Sequence, residues 1–355
     1  MQAVEKRISL FNSIAQSVIT NHDANFWLQK INPLWSVNQS LAKVVKKQTV
    51  AKDTVSLIVQ CNRHVQRGAA GQHHPVTVEI AGRHYERTYS LMQLDADHLC
   101  LTVKKVDQGL VSSWLVEQSK VGDIVYLGQP YGDMQQHIQT SNLLLLAAGS
   151  GITPMLSLIE SLSQTKQFST TSVQLMYWVK TQADAAYAEY LKETAENFSQ
   201  FSYQIFYTQE PDQRLNQNHV EQISALNATT VYACGPSGFA ATVETLFSDA
   251  ALLRTEAFSL SQFDVGASET GFINVRLTQS NKTVVIPKGQ SILASLEHQG
   301  IKPNHGCRMG ICNKCACTKA RGSTQNLLNG SANHEPAQLL KICVNSAQSD
   351  LVIDL

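Results

Sequence analysis

Four cysteines toward the C-terminal end carry the clearest chemistry in this sequence. Cys307, Cys312 and Cys315 are spaced C-x4-C-x2-C, and Cys343 follows further on. Three thiolates from one tight turn and a fourth from a distant segment can wrap a flat inorganic core, and this is the plant-type spacing for a 2Fe-2S cluster. Gly306 and Gly310 let the loop turn its amides toward cluster sulfurs. The competing chemistry is structural zinc, which prefers paired C-x2-4-C knuckles, and the sequence has no second knuckle. Cys317, two residues after Cys315, is expected as a buried thiol on the outgoing strand, facing the other way. Cys61 and Cys100 fall in expected strands and read as core residues.

Two further groups suit redox cofactors. In Arg87-Thr88-Tyr89-Ser90, Tyr89 offers a planar partner for a flavin ring, Ser90 a hydrogen bond near its reactive nitrogen, and Arg87 a cation for its phosphate. Downstream, Gly109-Leu110-Val111-Ser112-Ser113-Trp114-Leu115 offers a turn, hydroxyls and a helix start, which suits a pyrophosphate. Residues 143–148 form an apolar strand that runs into Gly149-Ser150-Gly151-Ile152-Thr153-Pro154, with a helix expected to begin at Pro154. That strand, turn and helix order lets backbone amides approach a dinucleotide, although the third glycine of the usual fingerprint is missing. Val231-Tyr232-Ala233-Cys234-Gly235-Pro236 repeats the arrangement at a second strand end. Cys234 is small enough to lie beside a nicotinamide ring; its alternative is plain core packing. His73-His74, close to the flavin strand, reads as local packing or hydrogen bonding.

These groups need elements to hold them. At 355 residues the chain is expected to fold as two or three domains. Lys plus Arg and Asp plus Glu number 28 each, so a basic face for nucleic acid is not expected. No apolar run is long enough to cross a bilayer, and the N-terminus lacks a secretory core, so a cytoplasmic location is expected. Residues 1–40 form a helical extension, with Val4, Ile8, Phe11, Ile14, Ala15, Val18 and Ile19 at helical spacing. A second apolar cluster follows at Phe26, Trp27, Ile31, Leu34 and Trp35, with Pro33 ending any long helix. This extension either packs on its own protein or docks on a membrane or a membrane-bound partner. Residues 41–137 are β-rich with regular turns, which predicts a small antiparallel barrel. Across 138–258, strands at 143–148, 173–179, 201–207 and 231–233 alternate with helical stretches, predicting a parallel α/β domain. A polar linker spans 259–270, and 271–355 brings strands at 272–277 and 283–286, a helix at 291–298 and the cysteine loop.

In this order, the motifs resemble the ferredoxin–NADP reductase superfamily with a C-terminal plant-type ferredoxin domain, over nearly the whole chain after residue 41. The resemblance implies an antiparallel flavin barrel, a parallel nucleotide domain and a β-grasp 2Fe-2S domain. It places Arg87, Tyr89 and Ser90 at the flavin, and Gly109, Ser112 and Leu115 at its phosphates. Gly149, Gly151, Thr153, Pro154, Cys234, Gly235 and Pro236 fall at the nicotinamide nucleotide, with Phe258 of Glu256-Ala257-Phe258 covering the flavin. It also implies that Ser90 orients flavin N5 and Cys234 positions the hydride donor. The Gly306–Cys312 string, the Phe26-Trp27 and Pro33-Leu34-Trp35 extension and the closing Leu351-Val352-Ile353-Asp354-Leu355 look like bacterial reductases that serve membrane fatty-acid desaturases. Asn313 stands where histidine is expected in those proteins. FAD is the expected flavin, with FMN the alternative, and NADPH the expected donor, with Lys180 a candidate for its 2′-phosphate and NADH the alternative. The implied acceptor is a membrane di-iron desaturase or hydroxylase. A reductase for a Rieske-type oxygenase is the rival enzyme, and a redox-inactive metal-binding module the rival outside enzymes.

Overall fold

The computed structural model describes residues 20–107, 109–132, 134, 140–258, 271–306, 308, 310, 313–328 and 330–355. The amphipathic stretch at 4–19 and the linker at 259–270 lie outside them. Two compact units emerge: one runs to Ala69 and resumes over His73–Pro130, and the other holds Ala70–Gln72 and Tyr131–Leu355.

The first unit is built on a closed antiparallel barrel. Its strands are β1 (Leu41–Ala51), β2 (Thr54–Cys61), β3 (His73–Ile80), β4 (Arg83–Gln93), β5 (His98–Lys104) and β6 (Ile124–Leu127). They pair in the order β1-β2-β5-β4-β3-β6, and β6 returns to β1. Closure leaves no free edge, and alternating branched residues such as Val44, Val55, Leu57, Val76 and Leu101 fill the interior. A bulge between Val44 and Lys46 bends β1 against β2.

A helix over Asn21–Ile31 precedes the barrel, and a reciprocal capping box between Thr20 and Asp23 starts it. It ends at Asn32, just before Pro33. Its buried residue is polar: Asn25 Oδ1 accepts from Ser36 Oγ at 3.0 Å and from the Val37 amide at 2.7 Å. The segment that follows is tied to the barrel by Asn62, whose Nδ2 donates to the carbonyls of Leu34 (3.1 Å) and Gln39 (2.9 Å). Residues 20–40 therefore pack on their own barrel through polar groups. Phe26, Trp27 and Ile31 of this helix stay exposed, as does Trp35 beyond it.

In the second unit, β7 (Asn142–Ala148), β8 (Ser172–Val179), β9 (Phe201–Tyr207), β10 (Thr230–Gly235) and β11 (Leu252–Ala257) form a parallel sheet in the order β11-β10-β7-β8-β9. Leu143, Leu144, Leu145 and Leu146 are all buried, as a strand covered on both faces requires. The helix expected to begin at Pro154 begins at Ile152, so Pro154 is its third residue. A first-turn proline lacks only an amide that has no partner within the helix, so it does not mark the boundary.

The C-terminal part has its own core, with Ile273, Val275, Leu277, Ile292, Leu296 and Ile342 buried. Its strands are β12 (Phe272–Leu277), β13 (Lys282–Pro287), β14 (Ala316–Arg321), β15 (Thr324–Asn326), β16 (Ala332–Asn333), β17 (Gln338–Lys341), β18 (Asn345–Ala347) and β19 (Leu351–Ile353). They form a sheet in the order β13-β12-β19-β14-β17 and a small one in the order β16-β15-β18. The helix Ile292–His298 is capped by Ser291 Oγ, which accepts from the Ala294 amide at 3.1 Å. Among the described residues no helix is long and apolar enough to cross a membrane.

Candidate cofactor sites

Strand β4 carries the first group. Alternation puts Arg87 and Tyr89 on one side of it and Ser90 on the other. Arg87 Nη1 donates to the Glu86 carbonyl at 2.7 Å. Tyr89 packs against the barrel core, and burial pushes its phenol well above the usual tyrosine range. Ser90 is buried, and directly across the β3–β4 ladder lies His73, with Nδ1 2.8 Å from Ser90 Oγ. His74 Nδ1 lies 3.3 Å from the Gly128 carbonyl, and burial pulls its pKa down.

Gly109 caps a short helix, Leu110–Ser113, that continues as a π-helical turn over Trp114–Gln118. The Ser119 amide closes that turn on the Trp114 carbonyl at 2.9 Å. Ser112 Oγ accepts from the Val106 amide (3.1 Å) and donates to the Gly109 carbonyl (3.2 Å), so its hydroxyl fastens the loop. Leu115 is fully buried in the barrel core, so its side chain serves packing rather than the phosphate contact expected of it.

The nucleotide motifs meet at one edge of the parallel sheet. Strands β7 and β10 are neighbours, with Ala147 opposite Cys234. Gly149–Gly151 form a single 3-10 turn beyond β7, and Thr153 Oγ1 closes it on the Ser150 carbonyl at 3.1 Å. A Cβ on Gly151 would stand 2.0 Å from the Cys234 carbonyl oxygen, so the two turns approach as closely as backbone permits. At Gly149 an added Cβ would meet nothing within 4 Å, which leaves a cradle open at the strand ends where dinucleotides bind. Cys234 is buried, and burial, helped by Glu256 paired opposite, raises its pKa and keeps it a neutral thiol. Pro236 stands ahead of the helix Ser237–Leu246, and the Phe258 amide donates to the Gly235 carbonyl at 3.1 Å, bringing Phe258 to the same edge. Lys180 is exposed just past β8.

Of the four predicted cluster ligands, Cys307 and Cys312 lie outside the described residues. Cys315 occupies a turn before β14 and Cys343 follows β17, and the β14–β17 pairing brings these two distant cysteines together. Both are buried, and a hydrogen bond from Cys343 is the main cause lowering the Cys315 pKa, to about 6. Two buried sulfurs side by side suit terminal ligation of an iron centre by cysteine thiolates. Gly310 has a φ of +75° and an added Cβ would lie 3.0 Å from a Val344 methyl. Lys341 Nζ donates to the Gly310 carbonyl at 2.6 Å, holding this loop to the Cys343 segment.

Strand alternation does not turn Cys317 away from Cys315, contrary to the expectation from sequence. Residues two apart on a strand share a face. They differ because Cys315 sits in the turn, while Cys317 is within β14, opposite Leu340, where burial pushes its thiol up to about 12. The sequence reading also missed Arg308, whose Nη1 and Nη2 grip Glu297 at 2.9 and 2.6 Å while Nη2 reaches His305 Nε2 at 2.9 Å. A charged residue between two ligand cysteines was the available signal. Asn313 has a φ of +57°, a left-handed conformation that asparagine tolerates well.

Three family models match the chain. Residues 41–136 match the oxidoreductase FAD-binding domain, 145–245 the oxidoreductase NAD-binding domain, and 275–345 the 2Fe-2S iron-sulfur cluster binding domain. The chain is 28% identical over 354 residues to an NADPH oxidoreductase of Mycobacterium tuberculosis, covering 96% of this chain and 91% of that one. It is 24% identical over 331 residues to phthalate dioxygenase reductase of Burkholderia cepacia, covering 88% and 96% respectively. A solved structure of phthalate dioxygenase reductase, described as modular for electron transfer from pyridine nucleotides to [2Fe-2S], superposes with a TM-score of 0.66 at 24% identity. That match covers 89% of this chain and 97% of the other.

Proposed function

The chain belongs to the ferredoxin–NADP reductase superfamily, in the arrangement that ends in a 2Fe-2S domain, and on that premise we propose that it carries electrons from NADPH through FAD and its cluster to a separate oxygen-activating di-iron enzyme. It is an NAD(P)H-dependent flavin and 2Fe-2S oxidoreductase. The observation that carries the proposal is the presence in one chain of a glycine-lined cradle at Gly149 and Gly151 and a buried, hydrogen-bonded thiol pair at Cys315 and Cys343.

When bound, the flavin supplies the step-down from a two-electron hydride donor to a one-electron carrier. Arg87 provides a cation for its phosphate, and the backbone beyond Gly109, held by Ser112, provides amides. Ser90 orients the reacting edge, and Tyr89 provides a planar partner for the ring. On the nucleotide side, Gly149, Gly151, Thr153 and Pro154 shape the pyrophosphate turn. Cys234, Gly235 and Pro236 form the wall beside the nicotinamide, where a neutral thiol gives shape without charge. Cys307, Cys312, Cys315 and Cys343 hold the cluster.

The acceptor is a membrane-bound di-iron fatty-acid desaturase or hydroxylase. The exposed Phe26, Trp27, Ile31 and Trp35 support this, since apolar side chains exposed close together in sequence are suited to a partner surface. The second reading is a Rieske-type oxygenase as acceptor, favoured by the likeness to phthalate dioxygenase reductase. Reconstitution separates them: the purified protein, with NADPH or NADH, is coupled in turn to a di-iron desaturase in vesicles and to a Rieske oxygenase. Product formed per nucleotide oxidised should be high with the desaturase and NADPH. Trp27→Ala with Ile31→Ala should lower that coupling and spare reduction of an artificial dye. Tight coupling to the Rieske enzyme alone would reject the desaturase.

A further inference from the structure

Lys341 closes β17 two residues before Cys343, and its strand partner is Ala316, the residue after Cys315. Its ammonium donates to the Gly310 carbonyl at 2.6 Å, and Gly310 lies between Cys307 and Cys312 in sequence. Chain connectivity therefore places this one cation among segments that lead to all four predicted ligands. Asn345 Nδ2 donates to the Lys341 carbonyl at 2.9 Å, which holds the backbone at the base of the side chain. Lys341 is partly buried, and among the described residues it forms no ion pair with a carboxylate. Arg308 shows the contrast, because Glu297 meets its guanidinium at 2.9 and 2.6 Å and offsets its charge. A carbonyl accepts the lysine's proton but carries no charge to cancel it.

An uncompensated cation in that place bears on redox chemistry. An electron that enters a thiolate-bound cluster adds one negative charge, and net charge is among the quantities that set the potential of such a centre. A nearby cation stabilises the reduced form more than the oxidised one and so raises the potential. Partial burial limits how far salt can screen it. Resting on the assignment of Cys307, Cys312, Cys315 and Cys343 to a 2Fe-2S cluster, we propose that Lys341 sets the reduction potential of that cluster, with its ammonium latched to Gly310 and its charge left to favour the reduced state. Reduction by the flavin is thereby made more favourable without a change of ligand. One unit charge so placed changes a one-electron equilibrium by about tenfold, or about 59 mV.

The test uses the full-length holoenzyme with Lys341→Met, Lys341→Gln and Lys341→Arg. Flavin and iron content establish that each is loaded. The cluster midpoint potential is read by anaerobic redox titration followed by electron paramagnetic resonance, and the flavin potential by visible absorption of the same samples. Lys341→Met and Lys341→Gln should each make cluster reduction about tenfold less favourable, a fall of about 59 mV, with the flavin potential unchanged. Lys341→Arg, which keeps the charge and a donor for Gly310, should stay near wild type. If Lys341→Met fails to hold its cluster, Lys341→Gln against Lys341→Arg makes the same comparison. Retention of the cluster against a chelator is the second readout, since a purely structural latch would change it alone. Faster cluster loss with a wild-type potential in the neutral variants would overturn the proposal, as would a potential in Lys341→Arg as low as theirs. A wild-type protein with no 2Fe-2S signal would instead overturn the ligand assignment on which it rests.

Discussion

Arg308 leaves the cluster loop with a φ of +59° and reaches back to Glu297 on the helix Ile292–His298. A bidentate guanidinium–carboxylate pair is directional as well as attractive, so it anchors Arg308 within the segment that carries three of the four predicted cluster ligands. Glu297→Gln should therefore loosen the loop, with a cost near the lower end of about 1.5–3 kcal/mol because the pair is partly exposed. The expected outcome is faster loss of the iron–sulfur absorption in the presence of a chelator, with flavin absorption unchanged; equal rates would show that the pair does not hold the loop. Neither this pair nor His73–Ser90 was legible in the sequence. Their partners lie 11 and 17 residues apart, and each depends on a turn or strand register that no local pattern specifies. The four cysteines were legible because their spacing is itself the chemical requirement, whereas the burial of Cys317 had to be read from its place in β14.

At the scale of elements, strands were easiest to read. The unbroken apolar run at Leu143–Leu146 could only suit a strand covered on both faces, and β9 and β12 begin and end where branched and aromatic residues do. Helix starts were harder, since Pro154 is tolerated anywhere in a first turn, and the π-helical turn after Ser113 has no sequence signal. The N-terminal helix illustrates a further limit. Its apolar spacing was visible, but a polar network through Asn25 and Asn62 determines which side is buried. The close approach of the two nucleotide turns yields a sharp expectation. Gly151→Ala would force a Cβ into the Cys234 carbonyl, and an overpacking cost of about 1–3 kcal/mol should weaken NADPH binding roughly tenfold or more. Titration with NADP+ checks this, with FAD and iron content as controls. Affinity equal to wild type would mean that this edge is not where the nucleotide lies.

For the whole molecule, three separate cores account for three chemistries. The barrel has a closed interior, the parallel sheet buries apolar side chains among its helices, and the C-terminal sheet packs on its own helix around Cys315 and Cys343. Length alone predicts two or three domains, because 355 residues exceed one core. The acceptor was not legible, because docking depends on shape and charge distributed over a folded surface. The central claim is that electrons entering from NADPH reach the iron–sulfur centre within this one chain. The most direct measurement is an anaerobic titration of the purified protein with NADPH, followed by visible absorption and electron paramagnetic resonance together. Both the flavin and the iron–sulfur bands should bleach, with the paramagnetic signal of a reduced 2Fe-2S cluster appearing as they do. Bleaching of the flavin alone, with no iron–sulfur absorption or signal before or after, would contradict the account and remove the role given to Cys307, Cys312, Cys315 and Cys343.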